Sequence, residues 1–136
     1  MAANTLADSG FLVALLNDRD SDHHWAIAEA RRRPRPWKTC EAALSEAFYL
    51  IGPHGTDALV RLLQRRAVIC AFDMGEHVDE VTRLMKKYSN VPMSFADACL
   101  VRMTEILADP TLLTADSDFR IYRRHGRQTI PCAMPR

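Results

Sequence analysis

Ser94 to Asp118 read SFADACLVRMTEILADPTLLTADSD. Ser94 to Ala108 predict a helix that is apolar almost all round, since Phe95, Ala98, Cys99, Leu100, Val101, Met103, Ile106 and Leu107 occupy its faces. A helix of that kind is buried. Asp109-Pro110 stops it, because proline disfavours helix in the residue before it. Thr111 to Ala115 then predict a strand, with Asp116 and Asp118 just beyond its end. A buried helix followed by a short strand is one unit of a layered α/β protein.

The same alternation runs outward in both directions. Residues 4–8 (NTLAD) predict a strand that ends at the turn Asp8-Ser9-Gly10, and Phe11 to Leu16 open a helix. After the polar break Asn17 to Asp22, His23 to Arg33 predict a second helix, which RRRPRP (31–36) cannot continue. Trp37 to Cys40 predict a strand and Glu41 to Ile51 a helix. Gly52-Pro53-His54-Gly55 reads as a break before the amphipathic helix Thr56 to Arg66. The continuous apolar run Ala67 to Phe72 (AVICAF) predicts a strand covered on both faces. Glu76 to Tyr88 carry apolar residues at helical spacing, Ser117 to Arg124 predict a short helix, and Gln128 to Cys132 a last strand. Five strands set between helices predict a parallel sheet with helices on both faces. Residues 1–136 contain no internal repeat or low-complexity segment and read as one domain.

Composition narrows the function classes. Of the 136 residues 48% are hydrophobic, enough for a core without disulfides or metals as staples, and the net charge of +1 gives no global signal for a polyanion. The longest apolar runs, such as Phe11 to Leu16, fall far short of the roughly 20 residues of a membrane span. The N-terminus lacks a basic segment followed by a long apolar stretch, so a cytoplasmic location is expected. Cys40, Cys70, Cys99 and Cys132 are widely spaced, without a CxxC pair. They are expected to be buried, reduced thiols that act as small apolar residues.

In a parallel α/β sheet, ligands bind beyond the carboxyl ends of the strands. Strand ends and the starts of the following helices share that edge, so acids at such positions can converge. Asp8 ends the first strand, where it also serves as a helix cap. Glu41 falls on a stripe with Ser45 and Gly52, the natural solvent face, and its place near a helix start suits the macrodipole. Glu46 lies off that stripe, among Ala42, Ala43, Tyr49 and Leu50, where a carboxylate is costly unless a cation or hydrogen bonds compensate it. Asp97 opens the buried helix, although Ser94-x-x-Asp97 also fits a capping box. Asp116 follows the strand Thr111 to Ala115, with Asp118 as a second choice of ligand. Four acids mapping to one sheet edge need cations to stay ionised together. Hard oxygen donors favour Mg2+ or Mn2+, a chemistry that activates water and offsets charge on a phosphodiester.

Two patterns carry less. Asp18, Asp20, Asp22 and Glu29 match acidic positions of a calcium loop, but His23 stands where that loop needs glycine. The five histidines form no HExxH motif or triad-like context.

The segments LADSGFLVALL, TCEAALSEAFYLI, SFADACLV and LLTADSDF, in this order, resemble the PIN-domain ribonucleases, above all the small VapC-like toxins of type II toxin–antitoxin systems. The resemblance spans nearly the whole chain. It implies a three-layer α/β/α sandwich with Asp8, Glu46, Asp97 and Asp116 as its acids, Asp118 at a position that is often acidic, and Thr114 as the hydroxyl residue before the last acid. It also implies Mg2+ or Mn2+ as cofactor, RNA cleavage, a homodimer, and an antitoxin that neutralises the groove.

Two basic groups are candidates for phosphate contacts: Arg31, Arg32, Arg33, Arg35 and Lys38, and, better placed after Asp116, Arg120, Arg123, Arg124 and Arg127. The competing readings are a non-catalytic PIN-fold module that binds RNA or protein, and a metal-dependent DNA nuclease or phosphatase on a similar sheet.

Overall fold

The structure, a computed structural model, describes residues 3–136. Five parallel strands form the central sheet: β1 (Asn4–Ala7), β2 (Trp37–Thr39), β3 (Val68–Cys70), β4 (Pro110–Leu113) and, after a two-stranded hairpin of β5 (Arg123–Arg124) and β6 (Gln128–Thr129), β7 (Cys132–Ala133). The order across the sheet is β3-β2-β1-β4-β7. From β1 the chain passes through α1 (Ser9–Leu16) and α2 (His23–Arg32) to β2, then through α3 (Glu41–Gln64) to β3 at one edge. It returns through α4 (Val78–Lys87) and α5 (Phe95–Ile106) and sets β4 on the other side of β1. That reversal leaves a crevice between the carboxyl ends of β1 and β4, the place where open parallel sheets bind ligands.

Side chains alternate across a strand with period two, and here that alternation builds two cores. Leu6 and Leu112, paired in register, face a cluster with Val81 of α4 and the buried residues of α5. Ala7 and Leu113, also paired, face Phe11, Ala26, Leu44, Ala47 and Leu59 of α1, α2 and α3. The expected α/β/α sandwich with a five-stranded parallel sheet is therefore present. Phe11 meets Trp25 and Trp37 edge-on, with ring centroids 5.8 and 5.4 Å away, which fixes α1 against α2 and β2. No helix among the described residues is long and apolar enough to cross a membrane.

Five local expectations are corrected. The predicted break at residues 52–55 shrinks to a kink at Gly52 inside α3, where φ is 72° and ψ −175°. Glycine enters that region without steric penalty, so the helix restarts at once with Pro53 in its tolerated first turn. Ala67 to Phe72 is not a strand covered on both faces: β3 lies at the sheet edge, so Ile69 is half-buried and Cys70 exposed. Of the cysteines only Cys40 and Cys99 are buried, and Cys132 is intermediate. The last two corrections concern the C-terminal segment. In place of a helix to Arg124, a 3-10 turn covers Ser117–Arg120. The expected strand Gln128 to Cys132 is split: Gln128–Thr129 close the hairpin over left-handed His125 and Gly126, and only Cys132–Ala133 join the sheet. Pro131 stands between the two pieces. It has no N–H to donate, but its carbonyl accepts from the Leu112 amide at 2.9 Å.

Candidate active site

The crevice is built from both central strands. The Asp8 amide donates to the Leu113 carbonyl at 3.1 Å, which continues the β1–β4 ladder one residue past β1. Asp8 then caps α1, accepting at Oδ1 from the Ser9 amide at 2.7 Å. Its other oxygen, Oδ2, accepts from the Thr114 hydroxyl at 2.6 Å. Thr114 is fully buried at the end of β4, and its Oγ1 in turn accepts from the Asp116 amide at 3.0 Å. Asp116 Oδ1 caps the 3-10 turn by accepting from the Asp118 amide at 2.9 Å.

Asp97 enters from α5. Ser94 and Asp97 form the expected capping box: the Asp97 amide donates to Ser94 Oγ at 3.0 Å, and the Ser94 amide to Asp97 Oδ2 at 3.3 Å. Oδ2 also accepts from the Tyr122 hydroxyl at 3.3 Å. The box occupies one carboxylate oxygen, and among the described residues no protein donor reaches the other. Glu46, half-buried on α3, closes the fourth side.

Asp8, Glu46, Asp97 and Asp116 line one cavity of about 410 Å³, together with Ser9, Gly10, Pro92, Ser94 and Ala115. Asp118 does not line it, although it lies near enough for its charge to bear on Tyr122. Glu41 is exposed, away from the cavity on the side of Cys70. The surroundings expected of Glu46 are only partly observed. Ala43 is buried, but Tyr49 and Leu50 are exposed at 84% and 58%. The apolar strip beside Glu46 thus faces solvent, and with Phe95, exposed at 41%, it borders the site.

The acids act on one another. Burial, with added repulsion from Asp97 and Asp116, pushes Asp8 up to about 6 against the opposing hydrogen bonds of Thr114 and Ser9. Asp97 is raised, first by burial and then by the charge of Asp116. Glu46 is raised by burial and by the charges of Asp97 and Asp116. A cation is the natural relief for such a set. Among the described residues no three His, Cys, Asp or Glu side chains already converge tightly enough to hold a metal ion unaided. The donor set is nonetheless hard oxygen throughout, which suits a hydrated dication bound through one or two carboxylates and several waters.

The two arginine groups separate by position. Residues 31–35 precede β2 and so sit at the opposite sheet edge from the acids. In the second group, Arg123 Nη1 donates to the carbonyls of Arg120, Ile121 and Tyr122 at 2.7–3.2 Å, and Arg124 donates to the Thr104 carbonyl. Thr104 is two turns beyond Asp97 on α5, about 10 Å along the axis. Arg120 and Arg127 are exposed. Tyr122 was invisible in the sequence, where RIYRR reads as a charged surface. Its ring is instead fully buried.

The acidic loop at Asp18 to Asp22 brings no ligand cluster together. His23 Nδ1 lies 2.7 Å from the Ala14 carbonyl, so it joins α2 to α1.

The family model described as PIN domain matches residues 5–124. Among solved structures, the chain is similar to VapC20 of Mycobacterium tuberculosis, titled a sarcin–ricin loop cleaving toxin. The TM-score is 0.64 and the identity 20%, over 80% of this chain and 87% of that one. No curated protein matches.

Proposed function

The chain belongs to the PIN domain family, and from that membership we propose that it is a metal-dependent endoribonuclease, the toxin of a toxin–antitoxin pair. The observation that carries the reading is the convergence of Asp8, Glu46, Asp97 and Asp116 on one cavity at the β1–β4 crevice. Asp8, Asp97 and Asp116 are proposed to hold Mg2+ or Mn2+, with Asp118 as a further ligand candidate from just outside the cavity. Bound there, the ion would supply an activated water and offset charge on the phosphodiester. Glu46 stands across the cavity on α3, placed to accept a proton from the attacking water. Exposed Arg120 and Arg127 are proposed to grip flanking phosphates.

The partners proposed are RNA, an antitoxin that covers the groove, and a second copy of the chain, in the cytoplasm. The second copy is placed on the apolar face of α3. Ala42, Ser45, Tyr49 and Leu50 surround Glu46 there, with Phe95 beside them, and the small Ala42 and Ser45 allow another helix to approach closely. Tyr49→Glu would then halve the mass in light scattering, and an unchanged mass would remove the dimer from the reading.

The test of activity uses purified protein on unpaired RNA, an RNA stem-loop, single-stranded DNA and a small phosphate ester, each with Mg2+, Mn2+ or a chelator. The expected result is internal RNA cleavage with metal only, abolished by Asp97→Asn. Cleavage of DNA or the ester alone, or none at all, would move the protein to one of the competing classes.

A further inference from the structure

Asp97 and Asp116 come from segments that share no regular element, and the residue that joins them is Tyr122. From Asp116 the chain makes one 3-10 turn, drops Phe119 into the core, and reaches Tyr122. The Tyr122 ring packs edge-on against Phe119 and Tyr88, with centroids 5.2 and 5.1 Å away, and it is fully buried. Its hydroxyl then reaches across to Asp97 Oδ2 at 3.3 Å. Tyr88 secures the far side, where its own hydroxyl accepts from the Arg123 amide at 3.0 Å.

Two donors, the Ser94 amide and the Tyr122 hydroxyl, therefore occupy Asp97 Oδ2. Two donors on one oxygen restrain the carboxylate plane and leave Oδ1, which no protein donor reaches among the described residues, for the cavity that Asp97 lines. A buried hydroxyl otherwise needs a partner, and within this packing the carboxylate is the partner it has. We propose that Tyr122 is a positioning residue for the metal site: its buried hydroxyl sets the orientation of Asp97 and ties it to the segment that carries Asp116. The proposal rests on the reading of Asp97 as a metal ligand. Groups that orient a ligand in this way typically change metal affinity by about 10–100-fold when removed.

The experiment measures Mn2+ binding to the full chain by electron paramagnetic resonance of free Mn2+, together with thermal unfolding of the chelated protein. Tyr122→Phe keeps the ring and removes the hydroxyl. Tyr88→Phe is the control, since it removes an adjacent hydroxyl that touches no carboxylate. Asp97→Asn tests the underlying reading. The expected result is about tenfold weaker Mn2+ binding for Tyr122→Phe, wild-type binding for Tyr88→Phe, and similar unfolding midpoints for the two. If Asp97→Asn weakens binding but Tyr122→Phe does not, the positioning role is wrong and the metal site stands. If the two tyrosine variants weaken binding equally, Tyr122 acts through packing alone and the proposal is overturned. If Asp97→Asn binds Mn2+ normally, the metal reading fails first.

Discussion

The Thr114 hydroxyl donates to Asp8 Oδ2 at 2.6 Å, with Thr114 fully buried and Asp8 6% exposed. Thr114→Val would leave a buried carboxylate oxygen without that donor, at a cost of about 1–3 kcal/mol. Because the bond holds Asp8 down, its loss would also raise the Asp8 pKa above about 6. The acid limb of the cleavage profile should then move to higher pH, and Thr114→Ser should restore it. A Thr114→Val profile that overlays the wild type would dissociate this bond from the site.

Stability of the metal-free protein should fall as pH rises. Asp8 titrates near 6 in the fold against 3.8 when unconstrained. Between those values the folded state holds the extra proton, so stability declines through that window and levels off above it. The shift corresponds to an order of 3 kcal/mol. Chelated protein is expected to melt higher at about pH 5 than at about pH 7.5, and Mn2+ to raise the midpoint more at the higher pH. Asp8→Asn should flatten the dependence and stabilise the chelated protein while abolishing cleavage. Destabilisation by Asp8→Asn at the higher pH would contradict this account.

Glu46 and Glu41 share a helix and differ in what they face. Glu46→Gln is expected to lower the cleavage rate by about 100-fold or more, as loss of a group acting on the reacting atoms does. Glu41 is exposed, and Glu41→Gln should leave the rate within about twofold, since it removes only a surface charge. Equal losses from both would place the reactive face of α3 wrongly.

The arginines after Asp116 should divide into two kinds. Arg120→Ala with Arg127→Ala should weaken RNA binding and flatten its salt dependence by about 0.7 per lost phosphate contact on a single strand. Arg123→Ala should instead lower the unfolding midpoint, because three carbonyls lose their donor. Salt titrations and melting curves separate the two. An Arg123→Ala variant with a wild-type midpoint and a changed salt slope would reverse the assignment.

The sheet and its acids were legible because each strand and helix carries its own signal. Asp8 follows a short strand and precedes an apolar helix, and Asp97 heads a helix too apolar to be anywhere but inside. What escaped depends on neighbours distant in sequence. AVICAF looks the same at an edge as at the centre of a sheet, and only the strand order exposes Cys70. Tyr122 is flanked by Ile121 and by arginines, and its burial follows from Tyr88 and Phe119 closing around it. The pinning of Asp97 therefore could not be read from RIYRR. The apolar surroundings expected of Glu46 are only partly there: Tyr49 and Leu50 lie in solvent beside the cavity rather than around the carboxylate.

The order of the strands has a consequence for synthesis. β4 supplies Thr114 and leads to Asp116, yet it sits beside β1, the first strand to be made. Until residues 110–113 emerge, β1 has one edge unpaired, and Asp8 has neither its Leu113 partner nor its Thr114 donor. A nascent chain stalled earlier carries Asp8, Glu46 and even Asp97 without a cavity to hold them. A ribosome making this protein therefore meets the assembled four-acid cavity only after Asp116 has left the tunnel.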